Sequence, residues 1–257
     1  MTGIVVELMV MACDFLQERC QSMKCIIQAK ILSNLVDSIR DLVTCVNIDC
    51  NAEGFCIQCL DAAHVALCSF VIAKDGFESY ECVRPTTLGL SLEAVRTVLK
   101  HVHGTVGLEN MGNVLCISCT TAEKKCKFNL KLVDIDIEQF SIPVMEYQFV
   151  VQLSSKEFVC TCQSCFGDTT EITVGSHIQF TSKGDHGSSS VVYDGVLKQS
   201  GEISMEFASR YLSFFAKGAS FSKAVVLSMS PGIPLRVEFG FESGHLQFYL
   251  APKITED

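Results

Sequence analysis

Residues 208–241 read ASRYLSFFAKGASFSKAVVLSMSPGIPLRVEFGF and carry both periodicities on which the fold depends. In Ala208–Lys217, Tyr211, Leu212 and Phe215 share one helical face, and Arg210, Ser213 and Lys217 share the other. AVVLSMS (224–230) and PLRVEFGF (234–241) read instead as short strands, split by the turn signal Ser230-Pro231-Gly232. The same mixture extends outward along the chain. GFCIQCL (54–60), HVALCSFVIA (64–73), FNLKLVDI (128–135), YQFVVQL (147–153) and HIQFTS (177–182) read as strands. Lys74-Asp75-Gly76 and Lys183-Gly184-Asp185 supply further turns. Three more stretches turn helical: Ala29–Arg40, Leu92–Lys100 and Ser155–Cys165. The first sets Ile31, Leu32, Leu35, Val36 and Ile39 on one stripe, and the second Leu92, Val95, Val98 and Leu99. The third is weakest, with Phe158, Val159 and Cys162. Short strands at regular spacing with two helices in each half imply an α+β chain of antiparallel sheets. The halves repeat in pattern, not in residue identity.

Composition bounds the function. At 257 residues the chain is one or two domains, and 48% hydrophobic with 19% charged residues is enough to bury a core. Disordered, collagen-like and coiled-coil classes are excluded. The net charge is −9, so DNA contact would need positive charge gathered in one place. The four helical stretches are net positive and the remainder strongly acidic. One positive surface on an acidic protein is what sequence-independent phosphate contact requires, although a solvated helix face explains any single helix as well. Fifteen cysteines, none after Cys165, argue against a disulfide framework spread over the fold. The start, MTGIVVELMVMACDFLQERC, lacks the basic n-region of a secretory leader, and Glu7 and Asp14 break its short apolar run. A reducing compartment with free thiols is therefore expected, and no membrane contact.

At this point the sequence resembles the eukaryotic sliding clamp family, proliferating cell nuclear antigen, as a divergent member. Arg210-Tyr-Leu-Ser-Phe-Phe-Ala-Lys217 and Val225-Val-Leu-Ser-Met-Ser230 look like the family's last helix and the strand after it. Gly244-His-Leu-Gln-Phe-Tyr-Leu-Ala-Pro-Lys-Ile254 resembles its C-terminal signature. Leu132-Val-Asp-Ile-Asp-Ile-Glu-Gln-Phe-Ser-Ile-Pro143 resembles its interdomain connector. Leu60-Asp-Ala-Ala-His-Val65 and Asp75-Gly-Phe-Glu-Ser-Tyr-Glu-Cys82 are similar as well. The likeness runs from about residue 23 to the end, with small deletions around 101–116 and 166–177.

The resemblance implies two similar DNA-clamp domains per subunit, antiparallel sheets outside, and four helices lining the hole of a head-to-tail trimeric ring. It implies clamp domain 1 over 23–131, a connector over 132–147 and clamp domain 2 over 148–257. Residues 1–22 precede the family's usual start, and Met23 would serve as initiator. The lining positions would be Lys30, Arg40, Arg96, Lys100, Lys156, Arg210 and Lys217. A ring holds DNA by topology, so its lining need only be weakly positive. Client peptides of the family carry a glutamine, an aliphatic residue and two aromatics in a helical turn. Their pocket would comprise Leu60, His64, Val65, Leu67, Phe140, Ile142, Pro143, Tyr147, Pro234, Tyr249, Leu250, Ala251 and Pro252. Subunits would join strand to strand, one edge using Lys125, Lys127, Phe128 and Leu130, the other Ser189, Val191 and Tyr193. The implied partners are encircled double-stranded DNA, two further copies of the chain, DNA polymerase, clamp loader and other clients; the implied place is the nucleus. The chain departs from the pattern at Ser33, Asn34, Thr97, Cys160 and Gln163, where the family has cations along the hole. Thr173-Val-Gly-Ser-His177 lacks the family's modification lysine, and VCTCQSC (159–165) is unusual.

Other constellations are weaker. Cys56-x-x-Cys59, Cys116-x-x-Cys119 and Cys162-x-x-Cys165 look like zinc half-sites, but the first two lie too far apart in sequence for a zinc ribbon. Buried free thiols account for them better, because positions i and i+3 of a strand point to opposite faces, and Cys160, Cys162 and Cys165 could be redox-sensitive. His101 and His103 read as solvated loop residues. Ser228 and Ser230 have no elbow glycines, and no Gly-rich phosphate loop is present. No catalysis and no cofactor are expected. The leading reading is a homotrimeric clamp; a paralogue acting in a mixed ring or checkpoint clamp comes second, and a thiol- or zinc-dependent enzyme, motivated only by the cysteines, third.

Overall fold

The structure, a computed structural model, describes residues 22–136, 142–143, 145–194 and 201–253. In chain order the first elements are β1 (Met23–Gln28), α1 (Ala29–Ile39), β2 (Cys45–Asn51), β3 (Gly54–Leu60), β4 (Ala66–Ala73), β5 (Ser79–Cys82), β6 (Thr86–Ser91), α2 (Leu92–Leu99), β7 (Thr105–Asn110), β8 (Val114–Thr120) and β9 (Lys125–Lys131). Then follow β10 (Phe149–Ser154), α3 (Ser155–Gln163), β11 (Thr169–Val174), β12 (His177–Gly184), β13 (Gly187–Asp194), β14 (Ile203–Ala208), α4 (Ser209–Phe215), β15 (Ala224–Met229), β16 (Leu235–Phe241) and β17 (Gly244–Leu250).

Every one of these helices begins on the residue after a strand ends, after β1, β6, β10 and β14. The strand therefore fixes both the entry point and the face each helix buries. Leu32, Leu35, Val36 and Ile39 of α1 are buried, as are Leu92, Val95, Val98 and Leu99 of α2. Ser91 caps α2, its Oγ accepting the Ala94 N–H at 3.4 Å. In α3 the buried residues are Ser155, Phe158, Thr161 and Cys162, so Thr161 fills a place expected for Val159.

The chain packs as two compact units. One comprises the described residues up to Ser33, Cys45–Cys56 and Ile72–Asp136. It contains a five-stranded antiparallel sheet in the order β5-β1-β7-β8-β9. Alternation along β1 sets its faces: Met23, Cys25 and Ile27 are buried, while Lys24, Ile26 and Gln28 are exposed. The β2–β6 pair of this unit runs from Cys45↔Ser91 to Cys50↔Thr86.

The other unit comprises Asn34–Thr44, Ile57–Val71 and Ile137 onward. It contains the four-stranded sheet β13-β12-β11-β14 and the run β10-β15-β16-β17-β4. Leu235, Val237 and Phe239 of β16 and Leu246, Phe248 and Leu250 of β17 are buried. Phe215 of α4 stacks on Phe248 with centroids 4.4 Å apart, and Phe158 of α3 approaches Phe239 at 6.4 Å. The helices of this unit are thus pinned by aromatic side chains from its sheet.

Two expectations need correction. The strand over 128–135 stops at Lys131, and the described residues of the connector form no strand at either end. The Leu132 N–H goes to Asn113 O and the Val133 N–H to Gly89 O, so no ladder to one neighbour continues. The crossing is close: a Cβ on Gly89 would lie 1.9 Å from Val133 O. The last helix ends at Phe215, and Lys217 falls in a 3₁₀ turn over Ala216–Ser220.

Candidate functional site

The second unit carries an apolar cleft of about 350 Å³. Leu60, His64, Val65 and Leu67 line one side, Ile142, Pro143 and Met145 of the connector another, and Pro234, Tyr249 and Ala251 the rest. Nine of these ten positions are among those expected. Met145 was not, although it stands two residues beyond Pro143, where the quoted connector stretch ends. Phe140 lies outside the described residues. Leu250 belongs to the core instead: it is 1% exposed, because strand alternation sends Leu250 inward with Phe248 while Tyr249 turns the other way. Tyr147 and Pro252 do not line the cavity; Tyr147 stands beside it, its hydroxyl donating to Pro234 O at 3.3 Å.

The wall from Leu60 to Val65 is built on one carboxylate. Asp61 Oδ1 accepts the Val65 and Ala66 amides at 2.8 Å each, and Oδ2 accepts the Ala63 amide at 3.1 Å. Tyr211 of α4 donates its hydroxyl to Oδ2 at 2.6 Å. His64 takes φ 59°, a left-handed turn that these bonds stabilise. Asp61 is 6% exposed. Burial pushes its carboxyl up, but the bonds from Tyr211 and the three amides outweigh burial and hold it below the ordinary value. Burial and the Asp61 contact push the Tyr211 phenol up. A stable carboxylate thus ties down the loop that forms this wall of the cleft. The C-terminal strand locks the same wall, with the Ala251 amide donating to Val65 O at 2.9 Å.

The expected DNA-facing cations sit on the solvent faces of the helices. Lys30, Arg96 and Lys100 are exposed in the first unit, and Arg40, Lys156 and Arg210 in the second. Lys217 departs from this pattern. It is half-buried, and its Nζ pairs with the Asp41 carboxylate. Arg40 Nε lies 3.4 Å from Asp37, and the Arg210 guanidinium sits 4.8 Å over the Tyr211 ring. Asp37, Glu93 and Glu157 each share the face of one of the first three helices, so the third is neutral and the positive charge on the others is small.

The two expected joining strands are both sheet edges: β9 ends the five-stranded sheet and β13 ends the four-stranded one. On β9, Lys125 and Lys127 are exposed while Phe128 and Leu130 are half-buried. On β13, Ser189, Val191 and Tyr193 are half-buried, and the Tyr193 hydroxyl meets Thr161 Oγ1 at 2.6 Å. An edge strand presents unpaired backbone groups ready for another chain.

The thiols are scattered. Cys59, Cys116, Cys119 and Cys162 are buried, Cys56 and Cys165 partly so, and Cys160 exposed. Burial pushes the Cys25 thiol up to about 12 and raises Cys162 as well. Among the described residues no three His, Cys, Asp or Glu side chains are grouped to hold a metal. His101 and His103 are exposed. No described helix is long and apolar enough to cross a membrane.

Residues 24–140 match the family model for the N-terminal domain of proliferating cell nuclear antigen, and residues 141–254 match that for its C-terminal domain. Among solved structures, the proliferating cellular nuclear antigen of Entamoeba histolytica is similar at 29% identity with a TM-score of 0.86. That likeness covers 91% of this chain and 100% of the amoebal one. With both domain models matched in tandem on a clamp-like fold, the chain belongs to the proliferating cell nuclear antigen family of DNA sliding clamps.

Proposed function

We propose that three copies of this chain close head to tail around double-stranded DNA, β9 of one subunit pairing with β13 of the next. The subunit consists of clamp domains over 23–131 and 148–257 joined by the connector. As a sliding clamp it raises the processivity of a replicative DNA polymerase and docks repair and processing enzymes. It acts in the nucleus, as a scaffold with no reaction of its own.

The observation that carries this reading is the positive charge gathered on the helical stretches, which together sum to +4 with the third stretch neutral, in a chain whose net charge is −9. Tight phosphate contacts would arrest sliding, whereas a ring retained by topology works with few. Lys30, Arg40, Arg96, Lys100, Lys156 and Arg210 supply them; Lys217 is partly neutralised by Asp41. Clients enter the apolar cleft of the second unit, aromatic anchors first, with connector and C-terminal tail on either side.

Light scattering of the purified protein at micromolar concentration, with and without residues 1–22, tests the assembly. A species near three times 28.2 kDa is expected. A monomer from both forms would replace the homotrimer with a mixed ring, and its partner subunit would be sought next.

A further inference from the structure

Arg236 is an unexpected residue for its position. It lies on β16 between the buried Leu235 and Val237, so its side chain leaves on the face opposite the core. That face carries the tyrosines of the cleft. Arg236 pairs in register with Tyr249, which lines the cavity, and its guanidinium sits 4.9 Å from the ring centroid of Tyr147. Its Nη2 donates to Ser228 Oγ at 3.0 Å, which fixes the plane of the fork.

A chain of polar contacts continues from there. Glu238 Oε2 lies 3.7 Å from Arg236 Nε and accepts Gln247 Nε2 at 2.8 Å. Gln247 Oε1 in turn accepts the Tyr249 hydroxyl at 2.9 Å. One guanidinium thereby reaches two tyrosines: Tyr147, which stands beside the cavity, through its π face, and Tyr249, which lines it, through Glu238 and Gln247. Stability alone is a poor account of this residue. Its Nε is buried with no hydrogen-bond partner among the described residues and meets the Glu238 carboxylate only at ion-pair distance, which is a weak return for burying a charged donor.

We propose that Arg236 is a positioning residue for client recognition, holding Tyr147 and Tyr249 at the orientation that receives the aromatic anchors of a client peptide. The proposal rests on the cleft being the client site. Lysine would not substitute, because a point charge has neither the planar face that lies on Tyr147 nor the fork that reaches Ser228.

The test uses the full-length protein and two fluorescein-labelled peptides. One carries a glutamine, a leucine and two phenylalanines in a helical turn; in the other both phenylalanines are leucine. Fluorescence anisotropy gives Kd for wild type, Arg236→Met and Arg236→Lys, and near-ultraviolet circular dichroism confirms that each is folded. Loss of a cation–π contact of this burial should weaken the phenylalanine peptide roughly three- to tenfold in both variants. The leucine peptide should bind all three proteins alike. Equal weakening of both peptides would mean a merely structural role and overturn the proposal. So would unchanged binding of the phenylalanine peptide to Arg236→Met, or full rescue by Arg236→Lys. If wild type itself fails to bind the phenylalanine peptide, the cleft reading falls, and this proposal with it.

Discussion

Replacing Tyr211 by phenylalanine removes one hydroxyl and tests how the Asp61 wall of the apolar cleft is held in place. The hydroxyl donates to Asp61 Oδ2 at 2.6 Å and accepts from Arg210 Nη2 at 3.1 Å. Tyr211 is 3% exposed, so water does not readily take its place. Without it, Asp61 Oδ2 retains only the Ala63 amide at 3.1 Å, the longest of the three backbone bonds. A hydrogen bond to a buried charge contributes about 1.5–3 kcal/mol, and we expect Tyr211→Phe to lose about 2 kcal/mol in urea unfolding at fixed protein concentration. The loss carries a pH signature. The folded carboxyl lies below its ordinary value of 3.8, so its contribution is fully present above the unfolded value and disappears as pH falls through the folded one. The variant gives up part of that depression. The stability gap between the two proteins should therefore be flat near neutrality and narrow below about pH 4. The wall from Leu60 to Val65 should loosen as well, weakening client peptides in step. A loss under about 0.5 kcal/mol, or a gap that widens on acidification, would refute the reasoning.

Other parts of the account are open to similar tests. Gly218→Ala should destabilise by about 1–3 kcal/mol in the same assay, because its Cβ would lie 2.5 Å from two ring atoms of the buried Phe239. Lys156→Ala and Arg210→Ala should each flatten the salt dependence of DNA binding by roughly one unit per subunit cation lost, measured as log K against log salt. Lys217→Ala should flatten it less, since Asp41 already takes part of that charge. Ala251→Glu places a carboxylate in an apolar cleft and should weaken client peptides by about tenfold or more, with the solution mass unchanged.

Local periodicity made most of the elements legible. GFCIQCL is β3 over the expected residues, and the second helix differs from its expected span by one residue. Both follow from a single apolar face meeting one core. FNLKLVDI failed because its alternation continues past Lys131 while its partner does not: the backbone turns off to Gly89. Lys217 read as a helix cation by spacing, yet the helix tightens at Ala216 and brings it to Asp41, which lies 176 residues earlier. Nine of the cleft's lining positions were legible by resemblance, but Met145 was missed, Tyr147 and Pro252 do not line it, and the alternation of Leu250 with Tyr249 places Leu250 in the core. The Asp61–Tyr211 bond spans 150 residues, and no local pattern announces it. What was available was an aspartate ahead of Ala62-Ala63-His64, which is at most a turn signal. Arg236 was hidden for the same reason, since its stacking on Tyr147 is made only by tertiary packing.

Encirclement is a topological property, and retention on DNA measures it. The protein is loaded by its cognate clamp loader onto nicked circular DNA, washed at about 1 M salt, and measured before and after the circle is cut. At that salt the screening length is about 3 Å, so contacts from the helix cations no longer hold it. A closed ring should remain on the circle and leave within the time of the cut, by sliding off the new ends. Loss from intact circles at high salt, or retention unchanged after linearisation, would contradict encirclement and with it the reading of this chain as a sliding clamp.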